Sequence, residues 1–417
     1  MVGKNRKNIF LRYILVSIFV SIIFYLRVSP SCTPIGDEQR YIDYANNLWN
    51  GFYSPDFPNI FIWNGPGYPI FLMPFIKIGF GIQSLRALNL ILYIASLIIL
   101  DRFLMNKVSY YLSNLILLFL VFYIPLYNEM TQVLTETLSF LLITLFVINM
   151  LKIKFNYVKV GIILGFIVLT KVIFGYILLI LLLVYGLRTI KIKSSENLHI
   201  FKLLLVALLV NLPYLIYTYS LTKKPFYWAN SGGVSLYWMS SPHDGEFGDW
   251  PSMEFSNKLM YDTRNSDSLH LKEINAIKKL PIYRQDEAYK SIAVSNIKGN
   301  PIKYLRNYIA NFERLFFNMP NSYSKHREIM LWYFPFNILL FLGFLFIIFC
   351  FIWRRDVQYN LTFLTLLIIG YILTTCSVFT YTRFIEPVIP IILILTIEYL
   401  KISKSGLSRL LVSQEGK

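Results

Sequence analysis

Ionisable side chains are sparse in this chain, and those outside the terminal and loop segments gather in a few places. Just after the first apolar stretch stands Ile35-Gly36-Asp37-Glu38-Gln39-Arg40-Tyr41-Ile42-Asp43. Glu129 and Glu136 flank the opening of a later apolar run, Lys171 interrupts another, and Arg383, followed by Glu386, opens the last. A carboxylate such as Asp37 can act as a base toward a hydroxyl, and cations can stabilise a departing phosphate. Glycosidases need two carboxylates because an alcohol leaving group must be protonated. A phosphate leaves without much help, so one acid among several cations suits group transfer from a lipid-linked phosphate. Structural roles fit the same residues. Asp37 can N-cap a helix whose apolar face is Tyr41, Tyr44, Ala45 and Leu48, and Glu136 with Lys171 can be an ion pair that locks helices.

Composition decides what must position these groups. The 417 residues are 56% hydrophobic, with 34 Phe and 30 Tyr, and only 15% charged, against roughly 25% in soluble domains. With a mean hydropathy of +0.53, this excludes soluble globular, disordered and collagen-like classes. Apolar blocks near 8–28, 84–101, 109–127, 133–151, 156–170, 172–188, 200–221, 329–353, 358–380 and 384–401 predict an all-α polytopic membrane protein with about ten transmembrane helices. The run 157–187 would make a helix of roughly 46 Å, too long for one crossing of a ~30 Å core, so it is split at Thr170-Lys171. The apolar stretch after Lys4, Arg6 and Lys7 is too long for a signal-peptide core and lacks a cleavage pattern; it reads as a retained first span. Cys32, Cys350 and Cys376 are isolated and have neither disulfide nor thiolate-metal spacing.

The net charge of +17 is topogenic. Arg102, Lys107, Lys152, Lys154, Lys159, Arg188, Lys191, Lys193, Arg354, Arg355, Lys401 and Lys404 fall on the face that also holds the amino terminus. The short segments of the other face hold only Arg27, Arg40, Lys77, Arg86, Lys171 and Arg383. The positive-inside bias therefore predicts cytoplasmic amino and carboxy termini in the cell (inner) membrane, and the charge calls for membrane lipids as partners, with no nucleic acid. Three parts follow. Residues 1–221 form an amino-terminal transmembrane module with a first outer loop at 29–83, residues 222–328 an extracytoplasmic helical region, and residues 329–417 further spans with a basic cytoplasmic tail. In the large loop the periodicity of Ile292, Val294, Ile297, Tyr304, Leu305, Tyr308, Ile309, Phe312, Leu315 and Phe316 predicts helices. His243, Asp244, Glu246 and Asp249 cluster there too, but with Gly245 and Gly248 they read as a turn, and neither a metal nor a cofactor is assigned.

Several segments carry a family likeness. Asp37-Glu38-x-Arg40-Tyr41, with Ala45, Leu48 and Gly51 after it, resembles the first outer loop of GT-C glycosyltransferases, in particular the family 39-like group of protein O-mannosyltransferases and the lipid A aminoarabinose transferase. Gly67-Tyr68-Pro69, Arg86-Ala87-Leu88-Asn89, Leu134-Thr135-Glu136-Thr137, Leu169-Thr170-Lys171, Gly232-Gly233, Asn300-Pro301 and Arg383-Phe384-x-x-Pro387-x-x-Pro390 follow in order over nearly the whole chain. The resemblance implies a GT-C-like bundle that moves a sugar from a polyprenyl-phosphate-linked donor to an envelope lipid, glycan or protein acceptor by single displacement. It implies Asp37 as the base and Glu38 as its neighbour in an acidic pair. Arg40, Tyr41 and Glu136 would belong to the substrate surround, and Lys171 and Arg383 would approach the donor phosphate. Asn64-Gly65-Pro66 stands where the aminoarabinose transferase has Lys-Pro-Pro, so that enzyme's donor does not transfer. Two rival classes fit a polytopic chain: a lipid-linked glycan polymerase or ligase, which would rely on loop arginines such as Arg264, Arg284, Arg306 and Arg314, and a transporter, for which no inverted repeat is visible.

Overall fold

In the computed structural model, which describes residues 2–34, 36–250, 267–322, 327–353 and 357–414, the first apolar stretch forms one helix, α1 (Val2–Arg27). Two short helices follow, α2 (Glu38–Trp49) and α3 (Gly67–Lys77), and then the long α4 (Ile82–Met105). Next come α5 (Tyr110–Val121), α6 (Ile124–Met130), α7 (Glu136–Met150), α8 (Tyr157–Thr170), α9 (Ile173–Ile192) and α10 (Ser195–Thr222). The large loop carries α11 (Gly232–Met239), α12 (Asp267–Lys278), α13 (Ile282–Gly299) and α14 (Pro301–Phe317). The chain returns through α15 (Arg327–Trp353), α16 (Tyr359–Cys376) and α17 (Ile389–Gln414). No strand occurs among the described residues.

Local chemistry sets the boundaries. Side chains of Ser109, Asn156 and Asn300 accept backbone N–H groups at the starts of α5, α8 and α14, satisfying donors that no helical carbonyl can reach. The expected split at Thr170-Lys171 is present, since α8 ends at Thr170 and α9 begins at Ile173. The expected span 109–127 is bent instead: α5 and α6 meet at 52°. Pro125 has no N–H for the carbonyl of Val121, and that oxygen accepts the Tyr127 hydroxyl at 2.7 Å. The neighbouring carbonyl of Leu120 accepts the Tyr93 hydroxyl, also at 2.7 Å. The last span starts late as well. Two 3₁₀ turns, Thr382–Phe384 and Glu386–Val388, precede α17, so Arg383 lies in a turn and not in a helix.

By length and composition, six helices among the described residues can cross a bilayer, and the bent α5–α6 pair makes a seventh. Helices α7 and α8 are apolar but shorter, about 21–23 Å each. The protein is therefore an all-helical, multi-pass membrane protein, and the count of ten crossings is not established. Buried apolar residues from α1, α4 to α10 and α14 to α17 form one large core. A second core joins α2 and α3 to α4 and α7 through Tyr41, Tyr68, Leu72, Leu85, Val133 and Leu138.

The Gly65-Pro66-Gly67 turn docks this smaller unit onto the end of α8. A Cβ on Gly65 would lie 2.1 Å from the carbonyl oxygen of Leu169, and one on Gly67 2.6 Å from the backbone nitrogen of Thr170. Both neighbours are backbone atoms and cannot rotate away. Gly65→Ala is therefore expected to cost stability at or above the upper end of the about 1–3 kcal/mol typical of overpacking. Gly81→Ala, where a Cβ meets nothing within 4 Å, should melt like the wild type. Equal melting temperatures for the two variants in one detergent would refute this docking.

Candidate functional site

A cavity of about 400 Å³ opens where α6, the end of α14 and the first part of α15 meet the start of α2 and the 3₁₀ turns. Its walls include Gly36 and Asp37, then Glu129 and Gln132 after the bend at Pro125, Tyr333 of α15, and Tyr381, Thr382 and Arg383. Asp37 takes the N-cap position of α2, but its side chain accepts no capping hydrogen bond. One carboxylate oxygen is bound by Arg40 and the other lies 3.4 Å from Arg383. The capping reading thus holds for the position and fails for the side chain, which is turned to the cavity and remains about one-third exposed.

Arg383 is the hub. Besides Asp37 it lies 4.0 Å from Glu129, and its guanidinium sits over the ring of Phe384. Burial opposes its charge, but Glu136, Glu129 and Asp37 outweigh that and raise its pKa above the ordinary arginine value. Its Nε is buried and finds no hydrogen-bond partner among the described residues. Buried donors of that kind are rare, and this one belongs to a residue on a cavity wall. The Glu386 carboxylate, fully buried beneath, likewise has one oxygen, Oε2, without a partner.

The other expected site residues sit behind the wall. Glu38, expected beside Asp37 in an acidic pair, is fully buried and accepts Nε and Nη2 of Arg86 at 2.9 and 2.7 Å and the backbone N–H of Val133 at 2.8 Å. Arg86 also donates to the carbonyls of Ser29 and Ser31 at 3.1 and 2.9 Å. The acidic pair is therefore split, with Asp37 toward the cavity and Glu38 toward the interior. Tyr41 is buried against Tyr68, and its hydroxyl accepts Nδ2 of Asn64 at 3.1 Å. Glu136 and Lys171 form the expected ion pair at 2.8 Å, which leaves Lys171 held by a carboxylate and off the cavity lining. Arg40 pairs with Asp37 and lies over the ring of Trp63.

Sequence reasoning did not single out Gln132, Asn318, Tyr333, Tyr381 and Thr382. Asn318 adopts a left-handed conformation at the end of α14, and the Thr382 hydroxyl donates to the carbonyl of Arg314. Both come from parts of the chain far from Asp37, and only tertiary packing brings them together. In the loop region, Glu246 lies 3.1 Å from His270, while Asp249 accepts the backbone N–H of Ser322 at 2.8 Å. Among the described residues no group of carboxylate, His and Cys side chains is arranged to hold a metal ion.

No protein-family model, curated protein or solved structure matches the chain. The chemistry of the site therefore rests on its own geometry: a half-open carboxylate between two guanidiniums, at the wall of a cavity set at one end of a helical membrane bundle. Such a carboxylate can accept a proton from a bound hydroxyl, and the guanidiniums can hold the oxygens of a phosphate.

Proposed function

We propose that this protein is a membrane glycosyltransferase that moves a sugar from a polyprenyl-phosphate-linked donor to an acceptor on the extracytoplasmic face of the cell (inner) membrane. Asp37 takes the proton of the acceptor hydroxyl as that oxygen attacks the anomeric carbon. The bond to the carrier phosphate breaks, and the phosphate leaves with the electron pair beside Arg383. Single displacement inverts the anomeric centre. The observation that carries this reading is the placement of Asp37 on the cavity wall between Arg40 and Arg383, whose Nε has no partner among the described residues. In a GT-C-like bundle of about ten crossings, with both termini in the cytoplasm, this cavity faces outward. The acceptor is an envelope lipid, glycan or protein.

Of the loop arginines on which a polymerase or ligase would rely, Arg264 lies outside the described residues and Arg284 and Arg306 are exposed. Arg314 is fully buried and donates to the carbonyls of Pro320 and Phe247 at 2.7 Å. The test is direct: purified protein is incubated with radiolabelled polyprenyl-phosphate sugars and extracted envelope material. Transfer of label from at least one donor, with inverted stereochemistry, is expected. No transfer from any donor, with labelled solute accumulating in vesicles instead, would point to a transporter.

A further inference from the structure

The cations around the site are mostly engaged. Arg40 and Arg383 hold Asp37, Lys171 holds Glu136, and Arg86 holds Glu38. Arg27 differs. It is the last residue of α1 and is exposed. Its Nη1 donates to Oδ1 of Asn128 at 2.7 Å. Among the described residues no carboxylate lies within ion-pairing distance of it.

Arg27 thus reaches α6 one residue before Glu129. Tyr333 lines the cavity, as does Glu129 beside Asn128. The Arg27–Asn128 contact therefore ties the end of α1 to α6 next to a residue of the cavity wall. An arginine aimed by one neutral amide keeps its remaining N–H groups for an anion, and the C-terminal end of α1 favours that positive charge.

The surface leading to this rim is apolar. Ile18, Ile22 and Leu26 recur every four residues on α1 and are 52%, 52% and 80% exposed. They make a stripe that runs along the bilayer-crossing part of the helix and ends beside Arg27. A hydrocarbon chain lying along this stripe would bring its headgroup to Arg27.

We propose that Arg27, oriented by Asn128, is a phosphate-binding residue that receives the phosphate of a lipid-borne donor at the rim of the cavity, with the hydrocarbon chain along the outer stripe of α1. This rests on the transferase reading for the identity of the lipid. Its test needs no transfer and so can fail or succeed separately.

Full-length protein in phosphatidylcholine nanodiscs is titrated with polyprenyl monophosphate that carries no sugar, and binding is read by native mass spectrometry. Arg27→Gln is expected to weaken binding about tenfold or more, since hydrogen bonds to charged groups are the strong ones. Arg27→Lys should retain part of it, keeping the charge without the planar fork. Polyprenol without phosphate should bind poorly, and inorganic phosphate and phosphatidylglycerol should compete weakly. Unchanged binding by Arg27→Gln overturns the proposal, as does equal competition by phosphatidylglycerol, which would make Arg27 a general headgroup contact. Absence of binding to the wild type overturns it too. Should Arg27→Gln not insert, Asn128→Ala carries the same test: weakened binding supports the proposal and unchanged binding overturns it. Carrier binding lost in Arg27→Gln, together with no sugar transfer by the wild type, would leave the phosphate site standing and remove the transferase.

Discussion

If the proposed transferase reading holds, Asp37→Asn is expected to insert and melt like the wild type but to transfer sugar about 10²–10⁴-fold more slowly. The expectation follows from what the substitution keeps and what it removes. Asparagine has nearly the same shape, and its amide oxygen can still accept a hydrogen bond from Arg40 or Arg383, the two groups at Asp37 in the native site. It cannot take a proton from an acceptor hydroxyl. The Asp37 side chain is about one-third exposed, so the exchange strands no deeply buried charge and stability should change little. The measurement is initial transfer rate at saturating donor, with the melting temperature taken on the same preparation. Wild-type turnover by the variant would eliminate Asp37 as the base. A lower melting temperature with unchanged turnover would instead assign its carboxylate to holding the two arginines.

Much of the architecture was legible because a bilayer demands long apolar runs, and caps and breaks punctuate them. The break at Thr170-Lys171 and the helical character of 292–316 followed from hydrophobic length and period. The bend between α5 and α6 was not anticipated, although Pro125 was in view. A proline removes one hydrogen bond, but whether the chain kinks or breaks depends on partners for the freed carbonyls, here Tyr127 of α6 itself and Tyr93 of α4.

At the site, residue types were legible and directions were not. Successive residues at the start of a helix point about 100° apart, so Asp37 and Glu38 cannot serve one pocket merely by adjacency. The interior side of α2 carries Glu38, Tyr41 and Ala45, all buried, a pattern the spacing contained once Asp37 was set outside it. Tyr333, Tyr381 and Asn318 had no such signal. Their presence at the cavity depends on how α14, α15 and the 3₁₀ turns pack against the first outer loop, and no local period encodes that.

The Glu38–Arg86 pair should show the largest loss of stability of any single exchange near the site. Both side chains are fully buried, and each is thoroughly bonded: Glu38 by Arg86 and the N–H of Val133, and Arg86 by Glu38 and the carbonyls of Ser29 and Ser31. Arg86→Met leaves a buried carboxylate without its counterion, while the carbonyls of Ser29 and Ser31 keep only Gln83 as a donor, and breaking a buried pair from one side costs about 3–5 kcal/mol. Arg86→Lys should recover only part of this, because one ammonium cannot reproduce the two parallel bonds to Glu38 and reach the Ser29–Ser31 turn as well. The double variant Arg86→Met with Glu38→Gln removes the stranded charge while keeping an acceptor for Val133, and should be more stable than Arg86→Met alone. The pair also fixes the start of α2, so Arg86→Met should lose transfer along with stability, whereas Asp37→Asn loses transfer alone. Melting temperatures of the three variants and the wild type in one detergent check the argument. If Arg86→Met melts with the wild type, or the double variant is no better than the single one, the pair does not hold Asp37 against its cavity.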